Sequence, residues 1–193
     1  MSEQGAGSEA VGGASNAVLM HYVSTLREAR ELVDANDSYW VCNCGCREGN
    51  EDGCKRSRVD VCLMFRDSPA SGSEKRAITR DEVEEILKEA ESCGLVARPF
   101  RSEDRSFVEG ICFCCDDCCG YFVENDEACD KGGTMERTDM EACTDCGACV
   151  PACHFHVREM RDDRLVIARE RCYGCGLCVE ACPERCVELV IRC

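Results

Sequence analysis

No stretch of this 193-residue chain approaches the roughly 18–20 consecutive apolar residues that a membrane span needs, so membrane insertion is not expected. The opening residues, MSEQGAGSEAVGGASNAVLM, carry neither a basic leader nor the apolar run of a secretory signal, which predicts a soluble, cytoplasmic protein. Positive charge is also short: 23 Lys and Arg stand against 38 Asp and Glu, for a net charge of -15. A phosphate backbone would be repelled, which argues against nucleic acid as a partner. Glycine-rich phosphate loops are missing, since Gly12-Gly13 is too short a pattern. None of the 3 histidines is placed beside a candidate nucleophile. Hydrolytic and nucleotide-dependent chemistry therefore has no visible residues to carry it.

What the chain has in excess is cysteine, 22 residues of it. A disulfide-stapled secreted protein, a set of zinc sites and iron-sulfur clusters could each account for such content. The lack of a leader speaks against the first. The C-terminal region separates the other two. CTDCGACVPAC at 143–153 and CYGCGLCVEACP at 172–183 both read C-x2-C-x2-C-x3-C. Four cysteines at these intervals, repeated after a short gap, point to two cubane [4Fe-4S] clusters. Zinc more often uses paired C-x-x-C units.

On these motifs, residues 138–193 resemble the bacterial-type dicluster ferredoxins. The resemblance implies that the fourth cysteine of each run crosses to the other cluster. One cluster would then take Cys143, Cys146, Cys149 and Cys182, and the second Cys172, Cys175, Cys178 and Cys153. Gly147, Gly174 and Gly176 suit loops wound tightly round a cube. Pro183 follows Cys182 as that family expects, whereas His154 follows Cys153 where proline is common. His154 and His156 are read as surface or packing residues, because the cysteine sets are already complete. RLVIA at 164–168 and CVELVIRC at 186–193 read as short flanking strands, with Cys186 and Cys193 left over as buried or terminal thiols.

Residues 1–15 read as a mobile tail, residues 16–135 as a helical cysteine-rich domain and residues 136–193 as the dicluster domain, an α+β fold in all. One helix is expected where Val18, Leu19, Tyr22, Leu26, Ala29 and Val33 share a side. A second is marked by Thr79 and Glu82 as a capping box, Ile78 stapling to Val83, and Gly94 as a stop, with Val83, Ile86, Leu87 and Ala90 facing a core.

Two further cysteine groups lie upstream: Cys42, Cys44, Cys46, Cys54 and Cys62, then Cys112, Cys114, Cys115, Cys118 and Cys119. Neither has ferredoxin spacing. One or two additional iron-sulfur clusters are expected there, with a zinc site on Cys44, Cys46, Cys54 and Cys62, or free thiols, as the alternatives. The doublets 114/115 and 118/119 suggest two clusters sharing one segment, or an unusual cluster, because adjacent cysteines cannot easily serve one iron of a cube. Cys93 and Cys129 stand apart from both groups.

The order of these parts looks like that of ferredoxin-like proteins from anaerobes. CCG at 118–120 also resembles the cysteine-rich motif of heterodisulfide reductase subunits, without that motif's longer spacing. The reading is an electron carrier, or the electron-transfer subunit of an anaerobic redox complex, working with a redox partner such as a flavoprotein or reductase. The alternatives are a reductase with an unusual substrate-binding cluster upstream, and a metal-binding assembly or structural protein. Residues 138–193 carry only -3 of the net charge, so the acidic field is mainly upstream and would attract a basic partner surface.

Overall fold

The computed structural model describes residues 18–69, 72–124 and 128–192; the tail expected at 1–15 and Cys193 lie outside them. The upstream region is built on a sheet, not on helices as expected. Its strands are β1 (His21–Tyr22), β2 (Tyr39–Cys42), β3 (Cys62–Met64), β4 (Arg76–Ile78), β5 (Val96–Arg101), β6 (Val108–Cys114) and β7 (Cys129–Asp130). They lie in the order β4-β2-β3-β6-β5-β1-β7, and every pairing is antiparallel except β1 with β7.

Side chains alternate across a strand, and here the alternation puts the helices on one face and the thiols, with Trp40, Met64 and Phe100, on the other. Tyr39, Val41, Leu63, Ala97, Ile111 and Phe113 face one way and join a single apolar cluster with two helices. These are α1 (Leu26–Asp34), contributing Ala29 and Val33, and, beyond the short α2 (Gly45–Glu48), the longer α3 (Arg80–Ser92). Val83, Ile86, Leu87 and Ala90 of α3 are all buried there, as the sequence stripe predicts. Each large apolar side chain so buried is worth about 1.5–3 kcal/mol. Helix α3 starts at the Thr79/Glu82 capping box and stops before Gly94, whose φ of 61° is the left-handed turn that ends it.

The expected first helix is shorter than its periodicity suggested. It begins only after Thr25, which forms a capping box with Glu28, while His21 and Tyr22 pair in the sheet instead. The cap decides the start, because its reciprocal bonds satisfy the first free N–H groups of the helix.

After α4 (Gly120–Val123), the chain enters the C-terminal region through β8 (Thr134–Thr138), which pairs antiparallel with β11 (Val187–Ile191). Between them lie the hairpin of β9 (Arg158–Arg161) and β10 (Arg164–Ile167), and the short α5 (Leu177–Glu180). The two strands expected at 164–168 and 186–193 are thus present as β10 and β11. No helix among the described residues is long and apolar enough to cross a membrane.

Candidate functional site

The two C-terminal cysteine runs form loops that fold toward each other, because β8 and β11 pair along their full lengths and close the region end to end. Cys143, Cys146, Cys149 and Cys182 line one small cavity. Cys153, Cys172, Cys175 and Cys178 line a second. Each cavity draws three thiols from one run and one from the other. Gly174 shows why the loops need glycine: its φ is 82°, and a Cβ there would lie 2.2 Å from the Thr134 carbonyl oxygen.

The donor chemistry round both cavities fits an iron-sulfur cube. The Glu136 N–H donates to Cys172 Sγ at 3.4 Å, and the Val157 N–H donates to Cys153 Sγ at 3.3 Å. Such bonds withdraw charge from sulfur and help set the potential of a cluster held there. Arg158 lines both cavities. Its guanidinium donates to Cys149 Sγ at 3.2 Å, to Thr138 Oγ1 at 2.7 Å and to Glu136 Oε2 at 2.5 Å. Glu136 is equally buried and also accepts from Arg169 Nε at 2.8 Å. This buried pair was not legible in the sequence, since Arg158 and Glu136 come together only through the folded hairpins. Cys186, expected as a leftover thiol, sits 3.4 Å from Cys182 on the wall of the first cavity.

Upstream, the thiols occupy the sheet face opposite the helices. Cys42 on β2 stands opposite Cys62 on β3. Leu63 pairs with Ile111, and one step along that register puts Cys62 beside Cys112 on β6, which in turn stands opposite Arg98 on β5. One row across four strands therefore reads Cys42, Cys62, Cys112, Arg98. Cys44, just beyond β2, lies between Cys46 and Cys62, and with Cys42, Cys62 and Cys112 makes a set of four thiols. A second set adjoins it: Cys119 neighbours both Cys46 and Cys114, and Arg98 donates to Cys114 at 3.6 Å and to Cys119 at 3.7 Å. Cys44, Cys46, Cys62, Cys112, Cys114 and Cys119 all line one cavity of about 500 Å³, together with Tyr121.

These thiols are close enough to share protons. Cys112 is drawn down to about 5, first by its bond to Cys62 and, against burial, by His21, while Cys62 is pushed well up by the same contact. Cys42 is drawn down to about 7, again by Cys62 first. Thiolate is the form that binds metal.

The two cysteines of the 114/115 doublet face different neighbours. Cys114 ends β6 on the thiol face, so its neighbour Cys115 must turn to the helix side, where it packs in the apolar cluster. There Cys115 meets Cys118 at 3.1 Å and Cys54 at 3.7 Å. The zinc set Cys44, Cys46, Cys54 and Cys62 is not assembled: Cys54 leaves the other three and joins Cys115 and Cys118. Cys93 caps the end of α3 and Cys129 lies in β7, both away from these sets.

The two halves meet through ring contacts. Tyr121, on the wall of the upstream cavity, packs edge-on against Phe155 and Tyr173 at 6.3 and 6.4 Å, and those two rings stack at 4.3 Å on the wall of the second C-terminal cavity. Arg98 lies 4.0 Å over the Tyr121 ring. His154 is buried, with Nε2 2.8 Å from the Gly94 carbonyl oxygen and Nδ1 3.0 Å from Asp116 Oδ2. It is a packing residue, as expected, but it joins the Cys153 loop to the upstream cysteine loop. His156 is exposed.

A family model described as a 4Fe-4S dicluster domain matches residues 142–186. No curated protein matches the chain. The matched segment spans both cysteine-lined cavities, apart from the β8 and β11 residues beside them. The C-terminal segment is an iron-sulfur module of the ferredoxin-like kind, whose chemistry is electron transfer.

Proposed function

We propose that the whole chain is a multi-cluster electron-transfer protein, acting in the cytoplasm as a carrier or as the electron-transfer subunit of an anaerobic redox complex. Cys143, Cys146, Cys149 and Cys182 would hold one [4Fe-4S] cluster, and Cys172, Cys175, Cys178 and Cys153 the other. Cys42, Cys44, Cys62 and Cys112 would hold a further one. When bound, such clusters accept and pass on single electrons. The protein's own part is to space the sites, keep water from them and donate hydrogen bonds to their sulfurs.

The observation that carries the reading is the ring bridge of Tyr121, Phe155 and Tyr173, which joins the upstream cavity to the second C-terminal cavity. Packed side chains in place of water favour electron passage between the two. The acidic surface, with a net charge of -15, would draw a basic patch on a redox partner and make the encounter rate fall with salt. The test is an anaerobic reductive titration of the full chain followed by electron paramagnetic resonance. Equivalents given to the ferredoxin-type clusters should redistribute to an upstream signal; an upstream centre that never exchanges electrons with them would sink the relay.

One observation favours a second reading. Cys46, Cys114 and Cys119 supply three thiols, not four, and open on the cavity of about 500 Å³ beside Arg98. A cluster on that set would keep one position for substrate, as a reductase needs. Added cyanide or a small thiol should then change the upstream spectrum, whereas a pure carrier would give no change.

A further inference from the structure

We propose that Cys54, Cys115, Cys118 and Asp117 form a separate site for a single tetrahedral divalent metal ion of the zinc class, outside the iron-sulfur relay. The four ligand atoms all lie within 4.8 Å of one another. Cys115 and Cys118 Sγ are 3.1 Å apart, Cys54 and Cys115 Sγ 3.7 Å, and Cys54 Sγ and Asp117 Oδ1 3.6 Å. A tetrahedron with metal-sulfur bonds of about 2.3 Å has edges of about 3.8 Å, so these spacings suit one ion. Four thiolates on the corners of an iron cube stand much farther apart. Among the described residues, no other group of three or more Cys, His, Asp or Glu side chains gathers its ligand atoms within 4.8 Å, and the two ferredoxin-type sets do not.

Two further observations point the same way. Asp117 is already oriented: the Lys55 N–H donates to its Oδ2 at 2.8 Å, leaving Oδ1 turned toward Cys54. Metal-binding carboxylates are characteristically held by such a bond to the other oxygen. Arg47 is buried and aimed at the site, its Nη2 lying 3.7 Å from Cys115 Sγ while its other bonds go to the carbonyls of Arg58 and Phe113 and to Ser57. A buried guanidinium is always charged and calls for an anion beside it. Three thiolates and a carboxylate round a divalent ion leave an excess of two negative charges, of which Arg47 offsets one.

The site has a structural consequence. It would tie the loop carrying Cys54, after α2, to the loop that follows β6, and so fix where Cys114 and Cys119 present themselves on the other face. Cys115 and Cys118 also edge the upstream cavity, while Cys54 and Asp117 are not on its wall.

Zinc K-edge X-ray absorption on the full chain, purified without oxygen after expression with zinc and iron supplied, tests the proposal. The expected result is about one zinc per chain with three sulfurs at about 2.3 Å and one oxygen at about 2.0 Å. Asp117→Cys should keep the zinc, convert its shell to four sulfurs and leave iron unchanged. Asp117→Ala should weaken zinc retention against a chelator beyond the about 10–100-fold that orienting partners are worth. The proposal is overturned if wild type holds no zinc, if Cys115 and Cys118 are recovered as a disulfide, or if Cys54→Ser and Cys118→Ser each remove about four irons, as loss of a cube would. Iron content separates this proposal from the relay: zinc present with no upstream iron would leave the zinc site standing and the relay refuted.

Discussion

Replacing Arg158 by Met removes the guanidinium shared by the two C-terminal cavities while keeping most of the side chain's bulk. Arg158 and Glu136 side chains are each only 1% exposed, so their pair is isolated from water. Removing one partner of a buried pair costs about 3–5 kcal/mol, because the other charge stays buried. Here Arg169 still reaches the second Glu136 oxygen at 2.8 Å, but it is itself 46% exposed and screened. The expected loss is therefore about 2–4 kcal/mol, below the full cost of stranding a charge. For a chain of this size that corresponds to a fall in Tm of about 4–16 °C. The assay is anaerobic scanning calorimetry of cluster-loaded protein at one scan rate, with Glu136→Met and the double variant alongside. Removing both charges should recover at least half of the loss, since apolar replacements of a buried pair are often neutral. An Arg158→Met protein within about 0.5 kcal/mol of wild type, as for an ordinary surface substitution, would refute the assignment of Arg158 as the charge that holds Glu136. So would a double variant as unstable as the two single losses added together.

Cys182→Ala should damage the cluster of Cys143, Cys146 and Cys149 and spare that of Cys172, Cys175 and Cys178, as read by the resolved spectra of each. Because Cys186 lies 3.4 Å from Cys182, the single variant should retain part of that signal and the Cys182→Ala/Cys186→Ala double variant should lose about four irons; loss from the second cluster instead would contradict the exchange of ligands. Gly174→Ala should disrupt the second cluster's loop, since its Cβ would meet the Thr134 backbone at 2.2 Å and its φ of 82° disfavours a side chain. Near-normal iron content and stability in that variant would show that the loop can shift.

The dicluster region was legible because its information is local: a short cysteine spacing, glycines inside the loops and two brief strands. Helix α3 was legible for the same reason, its capping box and apolar stripe lying within one stretch of chain. The upstream sheet was not. Its strands are buried on both faces, so VDVCLMF and GICFCC read as apolar-and-cysteine runs with no polar face to reveal the alternation. Strand β5, VARPFR, was hidden by Pro99 and Arg98, residues that argue against a central strand unless the guanidinium has thiols to meet. The grouping of Cys54 with Cys115 and Cys118 depends on a loop contact across about 60 residues, as the Arg158–Glu136 pair depends on the folded hairpins. Such pairings follow from topology, not from spacing.

On the proposed function, the thiol face of the upstream sheet carries iron-sulfur chemistry in addition to the C-terminal module. Iron and acid-labile sulfide per chain, measured together on full-length protein purified without oxygen, test it most directly. The expected content is about 12 or more of each, about eight from the module and at least four from the upstream sets, falling by about four in Cys62→Ser while the ferredoxin-type spectra persist. A full chain holding only about eight, unchanged by Cys62→Ser, would contradict it.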